Sequence, residues 1–186
     1  TNLLGWVGFS LSGLLELAGI VLFLWIVLKT ISRGTIAPEF FENYLKAGLV
    51  WMVLGSLGNV IIILVTAMEG VTVIPESYLA PYITSQLLGF ITMMILGIGW
   101  RTHPEFLGLK SPDTKYQPLL FWTLNLSIAL LVAGEVGQIY MPGTAIGWIN
   151  LVAGTVIGIA LLAHFVLINP FRKPVMDLNA LGVDRT

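Results

Sequence analysis

The sequence predicts an all-α integral membrane protein, a bundle of five transmembrane helices, on three observations. Of its 186 residues 56% are hydrophobic and only 10% charged, where soluble domains carry roughly a quarter charged residues; the mean hydropathy is +0.91. The apolar residues gather into blocks of about 20 or more, the length that takes a helix rising ~1.5 Å per residue across ~30 Å of hydrocarbon. Between the blocks stand Pro38, Pro75, Pro81, Pro104, Pro112, Pro142 and Pro170, as suits a residue without the amide hydrogen a helix interior needs. A membrane barrel would show alternating strands of about 10 residues instead, and no such alternation is read.

The first span runs from Leu3 to Leu28; no basic stretch precedes it and it exceeds a signal peptide's apolar core, so it reads as a mature helix. The others run from Ala47 to Met68, Tyr82 to Trp100, Pro118 to Met141 and Ala145 to Ile168. Residues 1–168 thus make one bundle and residues 169–186 a short soluble tail. Between spans one and two, Ser32 to Tyr44 mixes Phe40, Phe41 and Tyr44 with acids and reads as a loop anchored at headgroup depth.

Orientation follows from the cations. Lys29, Arg33 and Lys46 lie between spans one and two, Arg101, Lys110 and Lys115 between three and four, and Arg172, Lys173 and Arg185 after span five, which accounts for all nine. The positive-inside rule therefore places the N-terminus outside and the C-terminus in the cytoplasm, as in a bacterial-type inner membrane. The chain has no cysteine, which excludes disulfides, thiolate nucleophiles and cysteine-held iron–sulfur clusters within it. No basic groove, phosphate loop or nucleophile triad is present, so nucleic-acid binding and soluble hydrolysis are not expected.

Polar groups at membrane depth are costly and face the protein interior. Glu16, halfway along span one, and Asn59, midway along span two, are expected to pair, either as a structural hydrogen bond or as part of a proton relay. Glu135 and Gln138 share a face of span four, and Gln86 and Asn150 fall at a similar depth. Together they predict an outer polar pocket that holds a quinone headgroup, a haem propionate or a neighbouring subunit, or else simply ties helices together. His164 near the inner end of span five and His103 just after span three are candidate haem axial ligands, singly or as a pair, or interfacial hydrogen-bonding residues. Gly154 and Gly158, Gly55 and Gly58, and Gly134 and Gly137 are small pairs suited to close helix packing.

The stretch from Gly89 to Gly108 reads Gly-Phe-Ile-Thr-Met-Met-Ile-Leu-Gly-Ile-Gly-Trp-Arg-Thr-His-Pro-Glu-Phe-Leu-Gly. It resembles the signature region of NnrS-type membrane proteins, in which a helix carrying Gly-Phe runs into Gly-x-x-x-Arg-x-x-Pro, here Gly97, Arg101 and Pro104, with Phe106 and Gly108 following. A looser likeness continues through Pro118 to Glu135, where a leucine-rich helix ends in Ala-Gly-Glu. The resemblance implies an association with haem, copper and nitric oxide metabolism. Family members are about twice as long and carry histidines before the motif, where this chain has Gln86, so His103 and His164 would be replacements rather than matches. Arg101 also has a generic use, anchoring lipid phosphates at the interface.

Three functions are thus expected in order: a non-catalytic auxiliary subunit of a redox complex, packed among other membrane subunits; a small haem b protein handling electrons or nitric oxide; and a proton-coupled carrier or channel using Glu16 and Glu135.

Overall fold

The structure, a computed structural model, describes residues 3–33, 39–68, 70, 74–106 and 114–168. Lys110, Gly108, Pro38, Pro112, Pro170, Arg172, Lys173, Arg185 and the 169–186 tail lie outside the described residues. The described residues are helical, without strands: α1 (Leu3–Ser32), α2 (Phe41–Met68), α3 (Glu76–Thr84), a π-helical turn (Ser85–Ile91), α4 (Thr92–Phe106), α5 (Gln117–Tyr140) and α6 (Thr144–Ile168). α3, the π turn and α4 run on as one span. Five helices are therefore long and apolar enough to cross a bilayer, which makes this a multi-pass integral membrane protein.

Many large apolar side chains point outward, among them Leu15, Trp25, Leu54, Ile95, Leu126 and Val166. In water such a surface would aggregate; in lipid it is the solvated surface, and helices associate through shape and polar contacts instead. α5 and α6 form an antiparallel hairpin closed by Met141–Gly143, and the buried stripe of α6 is Ala153, Ile157, Ala160 and His164. α2 is the central helix, flanked by α1 on one side and by the third span on the other. α1 is the least enclosed, with 6% of its spanning stretch buried.

Two boundaries differ from the sequence reading. α2 starts at Phe41 rather than Ala47, so Phe41–Tyr44 is helix and not loop. Tyr44 is completely buried and stacks edge-on against Phe121 and Phe40, because an aromatic cluster at the bundle end draws the chain into the helix before the apolar run begins. The third span starts at Glu76, with Pro81 inside α3. Pro81 deprives only the Ser77 carbonyl of a donor, and Ser77 is an exposed residue beside a cleft. Pro104 likewise sits within α4 near its end.

The described cations, Lys29, Arg33, Lys46, Arg101 and Lys115, all fall at the end where α1 and α4 stop and α2 and α5 start. This is the basic end, and Met68, Glu76 and Tyr140 mark the opposite end. Arg101 lies over the Phe41 ring, 5.3 Å from its centroid, a cation–π contact that fixes the exit of the third span.

The π turn has a visible cause. A Cβ on Gly89 would stand 2.5 Å from Cγ of Trp51, so the indole of α2 occupies the space where another residue would carry its side chain. In the widened turn the Leu87 carbonyl accepts the backbone N–H of Thr92, five residues on, and also the Thr92 hydroxyl, with Oγ1 at 2.9 Å. Such turns recur where a helix must present side chains in directions a regular helix does not allow.

Candidate functional site

The most connected polar cluster surrounds Glu16 near mid-membrane. Asn59 Nδ2 donates to Glu16 Oε2 at 2.7 Å, and Ser56 Oγ donates to Oε1 at 2.9 Å. Tyr82 Oη, from α3, approaches Oε1 at a longer 3.4 Å. Behind Ser56, Gln86 Nε2 donates to Ser56 Oγ at 3.3 Å and to the Met52 carbonyl at 3.2 Å. Ser56 and Asn59, three residues apart on α2, share the face that α1 covers.

The structure thus brings Glu16 and Asn59 together and adds Ser56, Tyr82 and Gln86, which the sequence reading did not connect to them. The Ser56–Asn59 spacing was the available signal; Tyr82 carried none, because its direction depends on where α3 begins. Both carboxyl oxygens are engaged. The partners of Oε1 are hydroxyls, which can donate or accept, whereas the Asn59 amide group facing Oε2 can only donate.

Toward the opposite end, the expected polar pocket divides. Gln86 is parted from it, because the helix geometry around the π turn aims Gln86 at α2 while Thr84 points to α5. Thr84 Oγ1 donates to Glu135 Oε1 at 2.8 Å; Glu135 Oε2 is buried without a partner among the described residues. Glu135 and Gln138 border a cleft of about 380 Å³ together with Ser77, Pro142 and Gly143. Asn150 Oδ1, also buried and unpartnered among the described residues, abuts the backbone at Gly134 so closely that any side chain there would displace it. This is where the Gly134 and Gly137 pair contributes close packing of α5 on α6.

At the basic end a closed cluster forms around His164. Its Nδ1 lies 2.7 Å from the Ala160 carbonyl oxygen, which can only accept, so chemistry assigns the proton to Nδ1. Nε2 is then an acceptor and takes the Tyr44 hydroxyl at 2.9 Å. Tyr44 Oη also lies 3.2 Å from the Gln117 carbonyl, and its single hydrogen serves one of the two at a time. The rings of Tyr44 and Trp100 pack edge-on to the imidazole, with centroids 5.7 and 6.1 Å away. Both His164 and Tyr44 have 0% exposure.

These residues do not fit a bis-histidine haem. Both His164 nitrogens are engaged, and aromatic rings fill the space that a macrocycle would need beside it. His103 Nε2 is buried and unpartnered among the described residues, yet it projects from the last turn of α4 and lines none of the cavities described here. Among the described residues no group of three or more His, Asp or Glu side chains converges.

One further polar bridge lies within the core: Trp51 Nε1 donates to Asn125 Oδ1 at 3.0 Å, and Asn125 Nδ2 returns to the Phe121 carbonyl at 2.9 Å. Gly154 and Gly158, by contrast, make no close packing within the chain. Both are exposed, and nothing lies within 4 Å of where a Cβ would stand.

Compared with known protein families, with curated proteins and with solved structures, the chain matches none.

Proposed function

We propose that this chain is an auxiliary, non-catalytic subunit of a membrane redox complex, related to the NnrS-type proteins, which acts by packing against other membrane chains. The observation that carries the reading is the outward Gly154–Gly158 ridge on α6. A small-residue ridge lets a second backbone approach closely enough for van der Waals contact to hold two helices together in lipid. The redox setting and the kinship rest on the Gly89 to Gly108 resemblance. In this reading the basic end faces the cytoplasm of a bacterial-type inner membrane, with the N-terminus outside, as the cation placement favours.

Purification in mild detergent, with identification of co-migrating chains, tests the proposal. The wild type should co-migrate with at least one other membrane protein, and Gly158→Leu should lose that partner while keeping its helical circular-dichroism signal. A wild type that runs alone overturns it.

A second reading, a proton-coupled carrier or channel, is favoured by the Glu16 cluster. A proton on Oε1 would be accommodated by turning the Ser56 or Tyr82 hydroxyl from donor to acceptor, without moving a helix. Transport that survives in Glu16→Gln would sink it. The haem b reading draws no support from the ligand geometry, and a Soret band in the purified protein would reinstate it.

A further inference from the structure

We propose that the lipid-side cavity between α2, α3 and α5 binds the headgroup of a membrane quinone. The cavity measures about 290 Å³ and lies in the half of the bundle away from the basic end. Its floor exists because Gly58 has no side chain: nothing stands within 4 Å of a Cβ there. Apolar side chains of α2 and α5, such as Ile62 and Val136, form the walls, and Pro81 adds a flat face.

What separates this cavity from a slot for any acyl chain is its phenols. Tyr78, Tyr82 and Tyr140 all line it, three of the five tyrosines in the chain. An acyl chain has no use for a hydroxyl, whereas a quinone carries ring carbonyls that accept hydrogen bonds from two edges of a flat apolar disc. Tyr82 Oη is held only by the long 3.4 Å contact to Glu16, near the outer limit for a hydrogen bond. A ligand carbonyl at normal distance would therefore compete for it. The Tyr78 and Tyr140 hydroxyls make no hydrogen bond among the described residues. Leu54, Ile61 and Tyr140 are exposed, so the opening faces lipid and an isoprenoid tail can remain in the bilayer. The site follows the general form of small-molecule pockets, mostly apolar with a few polar groups that set orientation. The proposal concerns binding alone and stands whether or not the chain assembles with partners.

The test uses the full chain in lipid nanodiscs, titrated with a short-tailed ubiquinone and followed by tryptophan fluorescence quenching and thermal shift. Saturable binding is expected, weakened at least tenfold by Gly58→Leu, which fills the cavity, and about fivefold by Tyr82→Phe, which removes the donor and leaves the ring in place. If Gly58→Leu does not fold, Tyr82→Phe alone decides. Binding unchanged in Tyr82→Phe, equal binding of an alkyl chain of the same length without the ring, or no saturable binding would each overturn the proposal.

Discussion

The two ends of this bundle differ in how their polar groups are packed, and each leaves two of them without a partner among the described residues. At the basic end Tyr44, His164, Trp100 and Phe121 interlock and both imidazole nitrogens are engaged, while Trp100 Nε1 and His103 Nε2 stay without a partner and the cavity there, about 310 Å³ between α1 and α2, is lined almost wholly by apolar side chains. Toward the opposite end, Glu135 and Asn150 each keep an oxygen without a partner, and two cavities lie between helices. An unmet buried polar group costs about 1–3 kcal/mol, so a fold tolerates it where the group has another use or where water and headgroups lie near. The interlocked His164 cluster is therefore expected to bear more of the stability, and the opposite end, where tyrosines, Glu135 and Gln138 border the cavities, gives ligands, protons or partners room to act.

The largest expected break in that contrast is His164→Ala. It removes a fully enclosed ring and leaves the Tyr44 hydroxyl only its longer 3.2 Å contact to the Gln117 carbonyl, for a loss of about 3 kcal/mol in reversible unfolding by SDS. Next comes Gly89→Ala, where the new methyl meets the Trp51 indole and costs about 2 kcal/mol by the same measurement. Glu16→Ala should cost about 1.5 kcal/mol, since it strands three donors and interhelical hydrogen bonds in membranes average only about 0.6 kcal/mol each. Glu135→Gln should change stability by less than about 0.5 kcal/mol, because an amide oxygen still accepts from Thr84 and the other carboxyl oxygen has no described partner to lose. Equal costs for His164→Ala and Glu135→Gln would erase the distinction between the ends. The orientation of the contrast can be fixed as well, since the cysteine-free chain permits single-cysteine labelling: in the orientation proposed from the cations, Lys115→Cys should react only from the cytoplasmic side and Gly143→Cys only from outside, and the reverse pattern would invert that proposal.

Much of the fold was legible because lipid imposes it. A span must be helical, about 20 residues long and poor in charge, and those demands are written directly in composition. The Glu16 and Asn59 juxtaposition was legible for the same reason, as two costly groups at one depth have few places to go. What was hidden depends on the rotation of one helix against another. Gln86 and Glu135 share a depth, yet they face different neighbours because the third span widens at Ser85–Ile91, and no residue in that stretch announces a π turn. Tyr44 was hidden for another reason: flanked by Phe40, Phe41, Glu39 and Glu42, it has the local character of an interfacial loop, and only Phe121 and His164, far along the chain, make it core. Arg101 likewise reads as a lipid anchor until Phe41 is seen beneath it.

The widened turn also carries a surplus residue, one more than a regular helix of the same rise would hold. Deleting a single amino acid between Ser85 and Ile91 would let the span close into uniform α-helix with its two halves kept close to their present orientation, because the wide turn already absorbs the extra residue. Such a deletion is expected to keep the Thr84 and Tyr82 contacts on one side and the Gly97 fit against Tyr44 on the other, and to redirect the side chains inside the turn, Gln86 first among them. The third span thus holds one residue whose use is local, to aim the side chains of the turn itself, while the fit at either end is set by the helices that flank it.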